Sequence, residues 1–325
     1  MRLSRRDAAV AVALGAALIV AAPDARAQSY PSQDIHFVVG FVPGSGADVL
    51  TRFFAEKLSA KAGRSVVVEN KPGAAGNIAT VQVARSKPDG HTILLGAGSA
   101  IAAGMHLVKN PPLEVTKNFQ IAATLNRQAF MLAVDTNAPY KTVSDLTAAM
   151  KKKGSAASYA TTAPTGIVMG EMYKATAGLE AVEVRYKAAA DALNEFATGK
   201  LDFGALDPVF ALAQQRAGRL RILAHSSGHR LEAAGSIPTM DEAGVKGMNL
   251  TSWWAIHVPM ATPRPVVDQL NKWFAEILRD PETVKFLNSM GGDPFISTPE
   301  EGQALFVSDE KAWADYVKIA KIIPQ

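Results

Sequence analysis

Residues Gly40–Arg52 read GFVPGSGADVLTR, with three glycines, one proline, one serine and one aspartate between an apolar run and an amphipathic stretch. Such a segment offers mostly bare backbone. Glycine lets a ligand approach closely, and the free N–H groups of a following helix favour an anion. The chemistry on offer is the grip of a carboxylate by backbone donors and a hydroxyl, without an arginine. Two more segments share this character: Gly96-Ala97-Gly98-Ser99-Ala100 and Thr161-Thr162-Ala163-Pro164-Thr165-Gly166. The same residue types also make ordinary turns and caps. Three such loops, each at the carboxyl end of a predicted strand, favour ligand binding, because ligands of open α/β sheets sit there.

Catalytic patterns fail by spacing. There is no G-x-S-x-G, since Ser99 stands one place late, and no G-x-x-x-x-G-K-[ST]. Val49 occupies the third-glycine position of a G-x-G-x-x-G after the first strand. Of six histidines, His225 and His229 are four apart, but Ser226-Ser227-Gly228 between them argues for a loop, so neither a metal nor a cofactor is expected. A secreted α/β hydrolase, with Ser99 or Ser45 as nucleophile and His225 or His257 as base, is the remote alternative.

The elements that position these loops alternate. Strands are predicted at Ile35–Val39, Ser65–Glu69 and His91–Leu95. Helices are predicted from Leu50 to a stop at Gly63 and over Asn77–Arg85. The theme returns with strands Phe130–Val134, Ser158–Thr161, Val182–Tyr186, Phe203–Leu206 and Arg221–His225, and helices Ser144–Lys153, Ile167–Ala177 and Ala188–Thr198. Strand Trp253–Val258 precedes helices Pro265–Leu278, Pro281–Met290 and Pro299–Val317, where Pro281 and Pro299 fit first-turn positions. This alternation implies parallel sheets covered by helices. No long polar linker separates the halves, so Phe130–Val134 and Trp253–Val258 are expected to carry the chain between two lobes.

The first 27 residues stand apart. Arg2, Arg5 and Arg6 precede the apolar stretch Ala8–Ala22, and Ala25-Arg26-Ala27 makes an A-x-A cleavage site. That is a secretory signal peptide, too short in its apolar part for a membrane span. Ser4-Arg5-Arg6-Asp7 leaves twin-arginine export open beside the general route. Cleavage after Ala27 leaves Gln28–Gln325, free and soluble in a bacterial periplasm. The chain has no cysteine, hence no disulfide, and its core alone must hold it. With 48% hydrophobic and 20% charged residues it is a folding chain. Half of its net charge of +4 belongs to the leader, which gives no argument for nucleic acid.

At this point the residues resemble the Bug family, the periplasmic solute receptors of tripartite tricarboxylate transporters. The matching segments are Phe41–Asp48, Val66–Gly76, Pro88–Thr92, Lys141–Leu146, Tyr186-Lys187, Ile237–Gly244 and Thr298–Glu301, in the family's order over nearly the whole chain. The resemblance implies a type II periplasmic binding protein fold, with two doubly wound α/β lobes joined by two crossing strands. Lobe 1 would be residues 28–130 and 254–325, and lobe 2 residues 131–253. A small organic carboxylate would lie in the cleft, be trapped by lobe closure and pass to the permease subunits of an inner-membrane transporter. The receptor is expected to act as a monomer. A sensor showing its closed form to a membrane signalling partner is the alternative.

The expected ligand-binding set is Phe41, Gly44, Ser45, Gly46, Ala47, Asp48, Gly98, Ser99, Thr161, Thr162, Thr165, Gly166, Arg185 and Asp207. Asp207 either meets a ligand or caps the helix that starts at Pro208. Arg127 and Arg185 either pair with a second carboxylate or lie on the surface. Trp253-Trp254 either stacks on a ligand or packs at the crossing strand. The first loop has Ala47-Asp48 where the family often has Thr-Asp, the facing loop holds Pro164, and Arg185-Tyr186-Lys187-Ala188 stands for Pro-Tyr-Lys-Gly. All three departures fall in ligand loops, so the ligand class stays open.

Overall fold

The computed structural model describes residues 30–186 and 189–324, and the expected signal peptide, residues 1–27, lies outside them. Short β-branched and apolar runs make the strands. Amphipathic segments between them make the helices. The first sheet holds β1 (Ile35–Val39), β2 (Val66–Asn70), β3 (Thr92–Ala97), β4 (Phe119–Ala129), β10 (Thr251–Pro259) and β11 (Gly292–Pro294), in the order β11-β4-β10-β3-β1-β2. The second holds β5 (Met131–Asp135), β6 (Ser158–Thr161), β7 (Val182–Arg185), β8 (Phe203–Leu206) and β9 (Leu220–His225), in the order β7-β6-β8-β5-β9. Within each sheet the strands of the strand–helix units are parallel. The strands that bring the chain in from the other sheet, β10 and β5, run antiparallel to their neighbours. Both sheets are therefore mixed, where the alternation alone implied parallel ones.

The outward crossing also differs from expectation. Phe130–Val134 is not one strand leading across. Eleven residues of β4 belong to the first sheet, and the chain passes through Phe130 into β5 of the second. It returns between His225 and Thr251.

Helices cover both faces of both sheets. They are α1 (Gly46–Ala62), α2 (Asn77–Ala84), α3 (Gly98–Leu107), α4 (Val115–Asn118), α5 (Val143–Lys153), α6 (Pro164–Ala177), α7 (Ala189–Ala197), α8 (Pro208–Arg216), α9 (Arg264–Leu278), α10 (Pro281–Ser289) and α11 (Pro299–Ile319). Their ends follow cap chemistry. Gly63 stops α1 in the left-handed region, and Thr142 with Asp145, like Thr298 with Glu301, forms a capping box.

Three apolar clusters hold the molecule. Phe37, Leu50, Phe54, Leu95 and Phe274 fill the face of the first sheet under α1 and α9. Met131, Phe196, Leu206 and Leu212 fill one face of the second sheet. A third cluster runs from Val38, Trp253 and Phe306 to Phe130, Tyr159 and Phe203, and so spans both sheets. Each such side chain stabilises the fold by about 1.5–3 kcal/mol on burial. Among the described residues no helix is long and apolar enough to cross a membrane.

Candidate functional site

The first loop is a locked turn. Gly44 sits at φ 80°, a conformation that favours glycine, and releases the chain into α1. Ser45 caps α1, its hydroxyl accepting the Asp48 N–H at 3.3 Å. Asp48 folds back under the turn. It accepts from the Gly44 N–H at 2.8 Å, Arg52 Nε at 3.0 Å and Asn70 Nδ2 at 2.9 Å. Asn70 also donates to the Phe41 carbonyl at 3.0 Å, so β2 ties down both ends of the loop. Burial alone would raise the Asp48 carboxyl. The bonds from Arg52, Gly44 and Asn70, with the Arg52 charge, outweigh it and hold the pKa at about 2. A buried anion is thus neutralised inside the loop.

The cap takes the Asp48 N–H, and Val49 N–H bonds to the Ser45 carbonyl. Among the described residues nothing accepts from the N–H groups of Gly46 and Ala47. These two donors, the positive end of α1 and the free proton of the half-buried Ser45 hydroxyl can hold one small anion. Phe41, 41% exposed, stands over the loop, its ring 6.0 Å from that of Trp254.

The second sheet meets this loop at α8. A Cβ on Gly46 would lie 3.6 Å from Val209 Cγ2, and one on Gly291 would lie 2.9 Å from Pro208 Cβ. Asp207 caps α8, accepting the Phe210 N–H at 3.1 Å. Burial raises its carboxyl, and the Phe210 and Val209 N–H groups oppose the rise. The cap alternative for Asp207 is thus observed, at the place where the first turns of α1 and α8 meet.

Elsewhere the expected residues do other work. Gly96–Ala100 is no loop: β3 runs directly into α3. A Cβ on Gly98 would fall 2.1 Å from the Trp253 ring, so this glycine makes room for the indole. Ser99 is fully buried and shares a 2.9 Å hydrogen bond with Ser252 Oγ. Trp253 itself is core, donating through Nε1 to Asp309 at 2.9 Å, whose carboxyl burial raises to about 6.

In the second sheet, Thr161 is buried and donates to Glu183 at 2.6 Å. The exposed Arg185 bonds the other oxygen of Glu183 at 3.0 Å. One carboxylate therefore occupies both groups expected to meet a ligand. Thr162 is half-buried, Thr165 buried in the first turn of α6, and Gly166 packs on β8, where a Cβ would lie 2.6 Å from the Ala205 carbonyl. Arg127 lays its guanidinium over the Phe295 ring at 3.6 Å.

The serine–histidine pairings of a hydrolase are not assembled. Ser45 bonds to backbone, Ser99 to Ser252, and His257 is packed among Phe119, Trp253 and Phe306. His225 is buried at the end of β9, and His229 lies exposed in the turn beyond. Among the described residues no three His, Asp or Glu side chains are placed to hold a metal.

Asn70 and Glu183, which organise the two loops, were missed by sequence reasoning. Each is separated from its partner by some twenty residues and joins it through strand pairing, so no local spacing marks it. Asn126 was missed as well. It stands opposite Trp254 on the crossing strands.

Comparison with known proteins places this geometry. The family described as the tripartite tricarboxylate transporter family receptor matches residues 50–321. Protein BugT of Bordetella pertussis is 27% identical over 98% of each chain, and a UPF0065 protein of Bordetella bronchiseptica is 29% identical over 94% of this chain and 91% of its own. Among solved structures, an R. palustris protein determined with adipate superposes with a TM-score of 0.83 at 28% identity, covering 91% of this chain and all of its own. The periplasmic binding protein BugD superposes with a TM-score of 0.79 at 30% identity and the same coverage.

Proposed function

The chain belongs to the receptor family of tripartite tricarboxylate transporters, a family of solute-binding receptors and not enzymes, and from that premise we propose a ligand, a site and a route. The ligand is a small organic carboxylate. It lies between the lobe made by residues 28–130 and 254–325 and the lobe made by 131–253. Ligand-driven lobe closure traps it by a population shift, and the closed form is presented to membrane permease subunits. The leader of residues 1–27, cut after Ala27, sends the receptor to the periplasm.

One observation carries the proposal. The first turn of α1 holds two N–H donors, at Gly46 and Ala47, with no acceptor among the described residues, while Asp48 beside them is folded under the turn and paired with Arg52. A loop wired in this way attracts an external anion instead of satisfying itself. The R. palustris relative determined with adipate is in keeping with it.

The test is a thermal-shift screen of residues 28–325 against small organic acids and their amides. A ligand at a hundred times its dissociation constant adds about 2.7 kcal/mol, well within detection. Shifts with acids and not with their amides are expected. Equal shifts with both, or none with a broad acid panel, would overturn the carboxylate reading.

A further inference from the structure

Two buried side chains on the strands joining the sheets have polar atoms without partners. Asn126 is 1% exposed and neither its Nδ2 nor its Oδ1 is hydrogen-bonded; Trp254 is 7% exposed and its Nε1 is unbonded. An unpaired buried polar group costs about 1–3 kcal/mol, and folded proteins leave few of them. Here three such atoms come from residues directly opposite each other in the β4–β10 pair, so both side chains leave the same face of the sheet.

A bulge produces the alignment. Trp254 pairs with Asn126 and Ala255 with Thr124, which leaves Leu125 as the extra residue. With Leu125 paired as a regular ladder residue, Asn126 would share the face of Thr124, opposite to that of Trp254. The face it reaches instead carries the first loop, since Phe41 lies against Trp254. The turn after α10 and the start of β11 close the other side. A Cβ on Gly292 would fall 2.4 Å from Asn126 Nδ2, and one on Gly291 would meet Pro208 and Leu212 of α8. The orphan atoms thus lie between the α1 loop and the start of α8.

Resting on the carboxylate reading above, we propose that Asn126 and Trp254 form a second subsite that selects the ligand's substituent. Two donors and one acceptor are satisfied together by a group that both accepts and donates. A bare carboxylate serves the donors and leaves Asn126 Oδ1 unpaired. A hydroxyl or carboxamide beside the second end of the ligand serves all three. No charged group is supplied by either residue, so the selected feature is neutral. The preferred ligand is a small carboxylate bearing a hydroxyl or an amide.

Calorimetric titration of residues 28–325 with succinate, 2-hydroxysuccinate and succinamate, and with glutarate, 2-hydroxyglutarate and glutaramate, tests this. At one chain length the hydroxy acid or the half-amide is expected to bind about tenfold tighter than the plain diacid, the effect of one unpaired buried group. The hydroxyl and amide arms tell the two sources apart. Asn126→Leu is expected to remove that preference and, by replacing an unpaired polar group, to raise the melting temperature of the free protein, where a purely structural asparagine would lower it. Trp254→Phe provides a second variant. It also identifies the Trp254 indole N–H resonance, which is expected to move on binding. Diacids binding as tightly as their substituted forms, with the indole resonance still and Asn126→Leu without effect, would overturn the subsite alone. Binding of none of the six would overturn the carboxylate reading and the subsite with it.

Discussion

Two neighbouring strands of the first sheet, β1 and β3, each run into a segment of glycine, serine and alanine, and the two segments have opposite fates. After β1 the chain makes a turn, with Gly44 at φ 80° and nothing within 4 Å of where a Cβ would be. After β3 it goes straight into α3, with Gly98 pressed on Trp253 and Ser99 sealed against Ser252. Composition is nearly the same. The difference lies in what each glycine is for: a backbone conformation in one case, a close approach in the other. It lies also in where the serine points, toward a half-open helix end or into the core.

Substitutions can break this contrast. The largest expected effect is Gly98→Ala. Its Cβ would need to displace the Trp253 ring from 2.1 Å, which costs about 2–3 kcal/mol as overpacking and lowers the melting temperature by several degrees. Asp48→Asn comes next. It removes the charge that Arg52 pairs with, at about 1–2 kcal/mol of stability. Its pH signature is specific. The folded-state pKa lies below the ordinary carboxylate value, so the Asp48 contribution is present above about pH 4 and lost as pH falls toward about 2. Acid unfolding of the variant is expected to be flatter over that window, and its carboxylate affinity lower, because the turn loses its internal tie.

Ser99→Ala is expected to cost about 1 kcal/mol by leaving Ser252 without its partner, with ligand affinity unchanged in calorimetry. A loss of affinity there would return β3 to the ligand site. Gly44→Ala is expected to cost about as much, about 1 kcal/mol from the left-handed backbone, with no clash to add. Chemical denaturation of the four variants gives the ranking directly.

Most strands and helices were legible because short apolar runs and helical spacing mark them locally. Gly63 and the prolines at 281 and 299 fixed ends by backbone chemistry alone. β4 was not legible, since Asn126, Arg127 and Gln128 interrupt its apolar pattern with polar residues at the crossing. α3 was hidden by its two glycines; the purpose of Gly98 appears only once Trp253 is placed. Of the site, the Gly44–Asp48 turn could be read from its residue types. Its ties to Asn70, the Glu183 clasp on Thr161 and Arg185, and the bulge that turns Asn126 all depend on pairing between distant strands.

The most direct measurement is a proton–nitrogen correlation spectrum of residues 28–325, assigned and titrated with the tightest-binding carboxylate from the screen. The expected result is a large downfield shift of the Gly46 and Ala47 amide protons as they bond to the anion, with Gly98 and Ser99 unmoved. Still resonances at Gly46 and Ala47, with shifts gathered at Gly98 and Ser99 instead, would contradict the assignment of the carboxylate to the first turn of α1.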